Sequence, residues 1–477
     1  MPFASPISLY NTLTRRVEPV LTREQGHLRM YVCGVTVYDL AHVGHARVYV
    51  LFDVVARFLE AEGLRVTYAR NFTDVDDRII ERANKTGRSA ADLGAEMCDA
   101  FSADVTALGC RKPDVEPRAT LHVPDMITLI EELEKAGIAY RAHGDVYFDV
   151  TRFPTYGKLS HRKLEDLQAG ARIEVDEQKR NPGDFALWKA AKPGEPVWES
   201  PFGPGRPGWH IECSAMSARY LGQPFDLHGG GEDLIFPHHE NEIAQSEAAT
   251  GTPLATHWTH VSFLRRGADK MSKSLGNFIT IRDALTRHSA DALRLYLLQT
   301  HYRSPLEFTE EGIAEAQAGV TRMYETLQRA GATARKATAD AAEARTCHQE
   351  FRQALADDLN TPRALAALHD AVRAVNRLLD AGKPDQARDV AAALRGVGAI
   401  LGILQLEPAA ALAARRDALS VASGFSDAEI QRCLDERIAA RKARDFKRAD
   451  EIRDRLAASG IELKDNPDGT TTWGARR

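Results

Sequence analysis

The sequence predicts an α/β fold: a parallel-sheet domain split by an insertion, then an α-helical domain and a small C-terminal module. Three observations carry this. Through the first 140 residues, β-branched and aromatic runs alternate with segments of helical period. From Arg141 to Gly208 short strands sit among turn-rich stretches such as NPGDF and SPFGPGRPG, and from Trp209 the alternation returns. Beyond Tyr302 the chain is rich in Ala, Glu and Arg, with few β-branched residues. At about 150 residues per domain, 477 residues suggest roughly three domains.

The elements follow in order. His27–Tyr38 (HLRMYVCGVTVY) reads as a buried strand leading into a helix over His45–Glu62, with Gly63 at the C-cap. Arg65–Phe72 is a second strand, so the helix between them makes a βαβ crossover and a parallel sheet. Helices follow over Glu81–Leu108 and Pro124–Ala136, and DVYFDV and RIEV are strands of the insertion. The helical region runs to about Leu404. A linker at Glu407–Asp427 precedes a charged helix and a strand-like tail, Gly460–Trp473.

Composition narrows the function classes. The chain is 44% hydrophobic and 27% charged, as in a soluble globular protein. No apolar run approaches the ~20 residues of a membrane span, and MPFASPISLYNTLTRR lacks the features of a secretory signal. Six scattered cysteines do not form a disulfide framework, so a reducing cytoplasm is expected. A net charge of −5 leaves any RNA contact to local basic patches. One such patch is RIAARKARDFKR, Arg437–Arg448.

The motifs point to nucleotide chemistry. In AHVGHAR, His42 and His45 share a face at a helix start, where free amides and the helix dipole favour phosphate oxygens. Gly44 permits close approach, having no Cβ. Lys270 and Lys273, in KMSKSLGN, can reach a polyphosphate as it gains charge. Cys33 after the first strand, Cys213 in GWHIECSAM, and His238 and Glu242 at i, i+4 in PHHENEIAQSE make a plausible tetrahedral zinc set. No CxxC is present, cysteines are often plain core residues, and His239 competes with His238. Asp74, Asp76 and Asp77 read as helix caps and arginine partners.

The strings MYVCGVTVYDLAHVGHAR, NFTDVDDRII, RPGWHIECSAM, DLHGGGEDLIFPHHENEIAQSE and KMSKSLGN resemble, in order and spacing, the cysteinyl-tRNA synthetases among class I aminoacyl-tRNA synthetases. DDLNTPRAL and RADEIRDRLAASGIELKD extend the likeness to Trp473. Val43 stands where isoleucine is usual, and Val35 where proline or isoleucine is common; neither side chain does chemistry. The resemblance implies ATP-dependent ligation of L-cysteine to tRNA(Cys) through a cysteinyl adenylate. It makes Cys33, Cys213, His238 and Glu242 ligands of one Zn²⁺ that binds the substrate thiolate and excludes serine, with Mg²⁺ on the ATP and no editing site. His42, His45, Lys270 and Lys273 become the catalytic set, and Gly44 joins His42, His45 and Lys273 in binding ATP. Gly34, Thr73, Trp209, His228 and Asp233 complete the cysteine pocket.

Residues 1–140 and 209–303 become the halves of a Rossmann-like catalytic domain and 141–208 its connective insertion. Residues 304–406 contact the tRNA stem, and 407–477 form a linker and an anticodon-binding module with Trp473, Asp465 and the basic helix as candidates. A cytoplasmic monomer is expected. The alternative is a cysteine:aminosugar ligase with the same adenylation chemistry but no anticodon module. A non-catalytic zinc-containing RNA-binding protein would need neither HVGH nor KMSKS. A dinucleotide oxidoreductase lacks its GxGxxG here.

Overall fold

The computed structural model describes residues 7–163, 179–267, 269–270, 278–331, 341–465 and 471–475. RIEV and Lys273 lie outside the described residues, and of Lys270 the backbone alone is described. The central sheet is parallel, in the spatial order Ala255–Val261, Phe225–Gly231, His27–Val32, Arg65–Arg70. The chain thus builds outward from His27–Val32 in one direction, then returns to that strand's other side. This reversal is the topological switch point, where α/β sheets open a ligand crevice at their carboxyl ends.

The first strand is shorter than predicted. It ends at Val32, opposite Arg70, where its neighbour also ends. Beyond that, β-branched residues have no continuous partner and the chain bends over the sheet's carboxyl edge. Only isolated bonds remain, such as Val37 N–H to Thr73 O at 3.1 Å. The following helix, Val43–Ala61, starts two residues early because His42 caps it, and Gly63 follows at φ +90°. The single helix expected over Glu81–Leu108 is two, Asp77–Thr86 and Ala90–Ala107, broken at Gly87 (φ +66°) and recapped by Ser89. Asp76 caps the first of these, Asp77 pairs with Lys189 and Arg206, and Asp74 accepts from Thr120.

The described residues of the insertion form a four-stranded antiparallel sheet over Ala139–Ala142, Asp145–Phe148, Phe185–Ala190 and Gly205–Pro207. Val146, Phe148, Leu187 and Trp188 form a core with Met126, Ile130 and Leu133 of the helix Val123–Lys135. The buried Glu240 carboxylate fastens its far end, accepting from the amides of Gly157 and Ser160 at 2.9 and 2.7 Å.

Four helices, Glu310–Arg329, Ala342–Ala356, Thr361–Asp380 and Pro384–Leu401, form the helical domain. Its core is continuous with that of the catalytic domain. Arg294, fully buried, joins the two: it pairs with Asp53 at 2.6 Å and donates to Leu401 O at 2.8 Å. Arg294→Met should therefore destabilise the protein by about 3 kcal/mol, because Asp53 and a carbonyl lose a buried partner. Thermal unfolding checks this, and an unchanged midpoint would contradict it.

The expected linker at Glu407–Asp427 is largely a helix, Pro408–Ser423. The segment PAAALAARRDALSVAS holds strong helix formers, with Pro at N1 and Gly424 (φ +72°) past the end. The basic run likewise spans a turn rather than one helix, joining Asp427–Lys442 to Phe446–Ala458. With the hairpin Ile461–Asp465 and Thr471–Ala475, these helices enclose a small core of Ile430, Leu434, Ile452, Leu456 and Ile461. Among the described residues no helix is long and apolar enough to cross a membrane.

Candidate active site

Cys33 emerges from the first strand at the switch point, and its N–H still donates to Gly229 O of the adjacent strand at 3.0 Å. Cys213 comes from the helix Trp209–Leu221, and His238 and Glu242 lie at i, i+4 where the chain enters the helix Glu240–Thr250. Three segments distant in sequence thus bring their four donors together. The Cys33 and Cys213 sulfurs are 3.6 Å apart, Cys33 Sγ is 3.2 Å from Glu242 Oε1, and His238 Nε2 is 3.1 Å from the same oxygen. The four donor atoms lie within 4.8 Å of one another, all on buried residues.

A second donor set shares Cys33 and Glu242 but substitutes His228 and His239. The surroundings distinguish the histidines. His239 is engaged at both nitrogens, Nε2 with Cys33 Sγ at 3.3 Å and Nδ1 with His260 Nε2 at 2.8 Å. His260 Nδ1 in turn meets Thr12 Oγ1 at 2.7 Å. Burial, with His228 nearby, holds His260 down at about 3 and His239 well below an ordinary histidine, so both rings are neutral. A neutral ring donates once and accepts once. With Thr12 donating, the run ends with His239 Nε2–H on the Cys33 sulfur.

His238 instead has Nδ1 braced by His210 Nδ1 at 2.9 Å, leaving Nε2 toward Glu242. Such outer partners orient metal-ligating imidazoles. Burial opposes charge throughout the cluster, and at Cys213, His238 and Glu242 specific partners override it. The Cys213 thiol is raised by burial but brought down to about 6 by the Cys33 hydrogen bond and the His238 charge. Burial lowers His238, yet Glu242 and Cys213 carry it up to about 10. Burial and the bond to Cys213 drive Cys33 the other way, well above an ordinary thiol.

The HVGH turn differs from expectation in one respect. The amides at the helix start are not free: Val43 N–H donates to Ile279 O at 3.0 Å, Gly44 N–H to His42 Nδ1 at 3.1 Å, and His45 N–H to His42 O at 2.9 Å. His45 Nδ1 also accepts from His42 N–H, closing a capping box made by two histidines, whose rings stack at 3.8 Å. Side chains that can cap do so, and this removes the donors that a bare terminus would offer. Gly44 serves the same fold-back, since a Cβ there would come within 2.8 Å of the His42 ring. Both ends of the KMSKS segment approach this turn's side of the fold. Lys270 ends a short strand pairing with Arg265, and Thr280 bridges His42.

The remaining pocket candidates separate by burial. Gly34 lies against Asn71, whose carbonyl oxygen would be 1.6 Å from a Cβ, and its N–H donates to Asn71 Oδ1 at 2.8 Å. Thr73 Oγ1 donates to the buried Glu212 at 2.7 Å. Trp209, half-buried, stacks on His238 at 4.3 Å. Asp233 is exposed just past the strand Phe225–Gly231. His228 is fully buried behind Glu242, 2.8 Å from its Oε2, a placement that suits bracing the carboxylate. Asn71, Glu212, His210 and His260 were not among the sequence candidates. NFT and GWHIE carry three of them, Asn71, His210 and Glu212, beside residues that were.

A family model described as "tRNA synthetases class I (C) catalytic domain" matches residues 19–318, a DALR domain 350–405, and a "Cysteinyl-tRNA ligase anticodon binding domain" 426–473. A methionyl-tRNA synthetase structure from Mycobacterium tuberculosis, in complex with methionyl-adenylate, shares the fold at a TM-score of 0.59 and 16% identity, covering 84% of this chain and 94% of its own. The family match and the fold are those of a class I aminoacyl-tRNA synthetase. The Cysteine--tRNA ligase of Geobacter sulfurreducens is 52% identical over 98% of this chain and 99% of its own. That of Anaeromyxobacter sp. (strain K) is also 52% identical, over the same shares. The chain belongs to the cysteine–tRNA ligase family.

Proposed function

We propose that this chain ligates L-cysteine to tRNA(Cys) at the expense of ATP, through a cysteinyl adenylate, and selects cysteine by its thiol. The observation that carries the reading is the buried cluster of two thiols, an imidazole and a carboxylate at the switch point of this fold. Cys33, Cys213, His238 and Glu242 suit one Zn²⁺, whose preferred donors are thiolate, imidazole and carboxylate. Bound there, zinc supplies a Lewis acid that ionises a thiol and favours sulfur over a serine hydroxyl. Packing against a near-isostere gives only about 1–3 kcal/mol, so a chemical criterion makes a separate editing site unnecessary.

The chain's residues do the rest. The cysteine carboxylate is ionised at neutral pH and attacks the α-phosphorus of ATP without a general base, releasing pyrophosphate. His42 and His45, held rigid by their mutual capping, position the phosphates, with Mg²⁺ accompanying the nucleotide. Lys273, and Lys270 beside it, stabilise charge as the pyrophosphate leaves. Trp209 shields the thiol end from water, and Asp233 stands at the cleft mouth. A ribose hydroxyl of the tRNA's terminal adenosine then attacks the adenylate carbonyl and expels AMP.

The C-terminal module meets the anticodon, and residues 304–406 support the stem. Arg437 and Arg441 are bound to Asp465 at 2.7 Å each, so those three side chains are committed to the module's own structure. Lys442, Arg444 and Lys447 are exposed around Phe446, itself 62% exposed, which suits backbone charge contacts and base stacking; Trp473 packs against the module's core. The aminosugar alternative finds no support beside an anticodon-binding match. We read the protein as a cytoplasmic monomer. Combined Lys442→Glu, Arg444→Glu and Lys447→Glu substitution should raise KM for tRNA by about tenfold or more, steeply with salt, while cysteine-dependent pyrophosphate exchange stays unchanged. Unaltered charging by this variant would contradict the tRNA role of the module.

A further inference from the structure

Arg47 completes the string HVGHAR, and the mechanism leaves it without a task. It lies two residues beyond His45 on the helix Val43–Ala61, with 3% of its surface exposed. Burial lowers its guanidinium to about 10, so it is still a cation at neutral pH. Buried cations are normally paired with carboxylates. Among the described residues the hydrogen-bond acceptors of Arg47 are four backbone carbonyls.

The four carbonyls belong to two segments. Nη1 donates to Ser262 O and Phe263 O at 3.0 and 2.7 Å, and Nη2 to His301 O and Ser304 O at 3.3 and 2.6 Å. A rigid planar fork can bridge two segments in this way, whereas an ammonium on a flexible stem cannot hold both. The bridged segments are the root of a small sheet. Ser262 N–H donates to Tyr302 O at 2.8 Å and Leu306 N–H to Phe263 O at 3.0 Å, and the strand Leu264–Arg266 then runs parallel to Leu306–Glu307. The other edge of Leu264–Arg266 pairs with Asp269–Lys270, where KMSKS begins. One short run of chain thus carries His42 and His45 and, at Arg47, fastens the strand that pairs with the first residue of KMSKS.

We propose that Arg47 is a positioning residue for adenylate formation, fixing the root of the KMSKS segment at a set distance from the HVGH turn. The inference deepens the ligase reading above and rests on it. Arg47 touches no substrate and acts through the strand Leu264–Arg266. Its loss therefore falls on the step in which charge develops between the two motifs, because small misplacements of stabilising groups cost rate more than affinity.

Single-turnover formation of cysteinyl adenylate by the zinc-loaded full chain tests this. Arg47→Lys keeps the charge and loses the fork, and Arg47→Gln loses both. Each should lower the rate at saturating ATP and cysteine by about tenfold or more, with both affinities within about threefold of the parent. Arg294→Met also removes a buried arginine, and should lower the unfolding midpoint while leaving that rate within about twofold. In a Lys273→Ala background Arg47→Lys should cost about twofold or less, because the group it serves is already gone. Losses that multiply in the double variant, a parental rate for Arg47→Lys, an equal fall in rate for Arg294→Met, or loss of folding in both Arg47→Lys and Arg47→Gln would overturn the assignment. Failure of the zinc-loaded parent to form the adenylate would instead overturn the ligase reading itself.

Discussion

Cys213→Ala should lose its zinc and, with it, cysteine-dependent pyrophosphate exchange, by about a thousandfold or more in kcat/KM, while ATP binding is retained. The effect is large because Cys213 is in contact with both Cys33 and His238, so its removal deletes one donor and unbalances two others. Burial raises the Cys33 thiol, with Cys213 and Glu242 adding to the rise, whereas at His238 the same two partners outweigh the lowering by burial. Metal binding must also displace protons from the donors, and three donors do so against a weaker return. ATP binding should persist because the HVGH turn owes its shape to the His42–His45 capping box and to Ile279, not to the cluster. Metal analysis and nucleotide titration on the same sample check both halves. Full activity from zinc-free Cys213→Ala would refute thiolate selection.

Lys273→Ala is expected to lower kcat for adenylate formation by about a hundredfold or more, with little change in ATP affinity. A charge aimed at the departing pyrophosphate gains most when negative charge develops, so its loss falls on the transition state. The described flanks of the segment support this. On one side is the Arg265–Lys270 pairing and on the other Phe278–Thr280, where Thr280 bridges His42 and Phe278 lies 6.1 Å, ring to ring, from the same histidine. Single-turnover kinetics separate the two effects. A loss confined to ATP binding, with kcat preserved at saturation, would assign Lys273 to ground-state binding instead.

Much of this was legible in the residues. The strand–helix–strand rhythm predicted the parallel sheet, and Cys33 and Cys213 converge on the His238–Glu242 pair in the fold although no local spacing joins them to it. What was not legible shares a physical character. The end of the first strand depends on where its neighbour stops pairing, at Arg70, rather than on the β-propensity of VTVY. The helical form of the linker over Pro408–Ser423 is not legible because its charged and small residues mark no apolar face, although alanine favours a helix anyway. The amides of HVGH looked available because an imidazole is not an expected cap. His210, His260, Asn71 and Glu212 are single polar residues whose meaning lies in a partner across the cleft, and periodicity carries no such information.

The central claim is that a metal-bearing pocket, rather than packing or editing, decides which amino acid reaches the tRNA. Its most direct test is ATP-dependent attachment of labelled cysteine and of labelled serine to tRNA, measured in parallel with zinc-replete and chelator-stripped protein. The account predicts cysteine charging by the replete protein alone, recovered when zinc is returned, with no serine charging in either form. Equal cysteine charging by the stripped protein, still without serine, would contradict it.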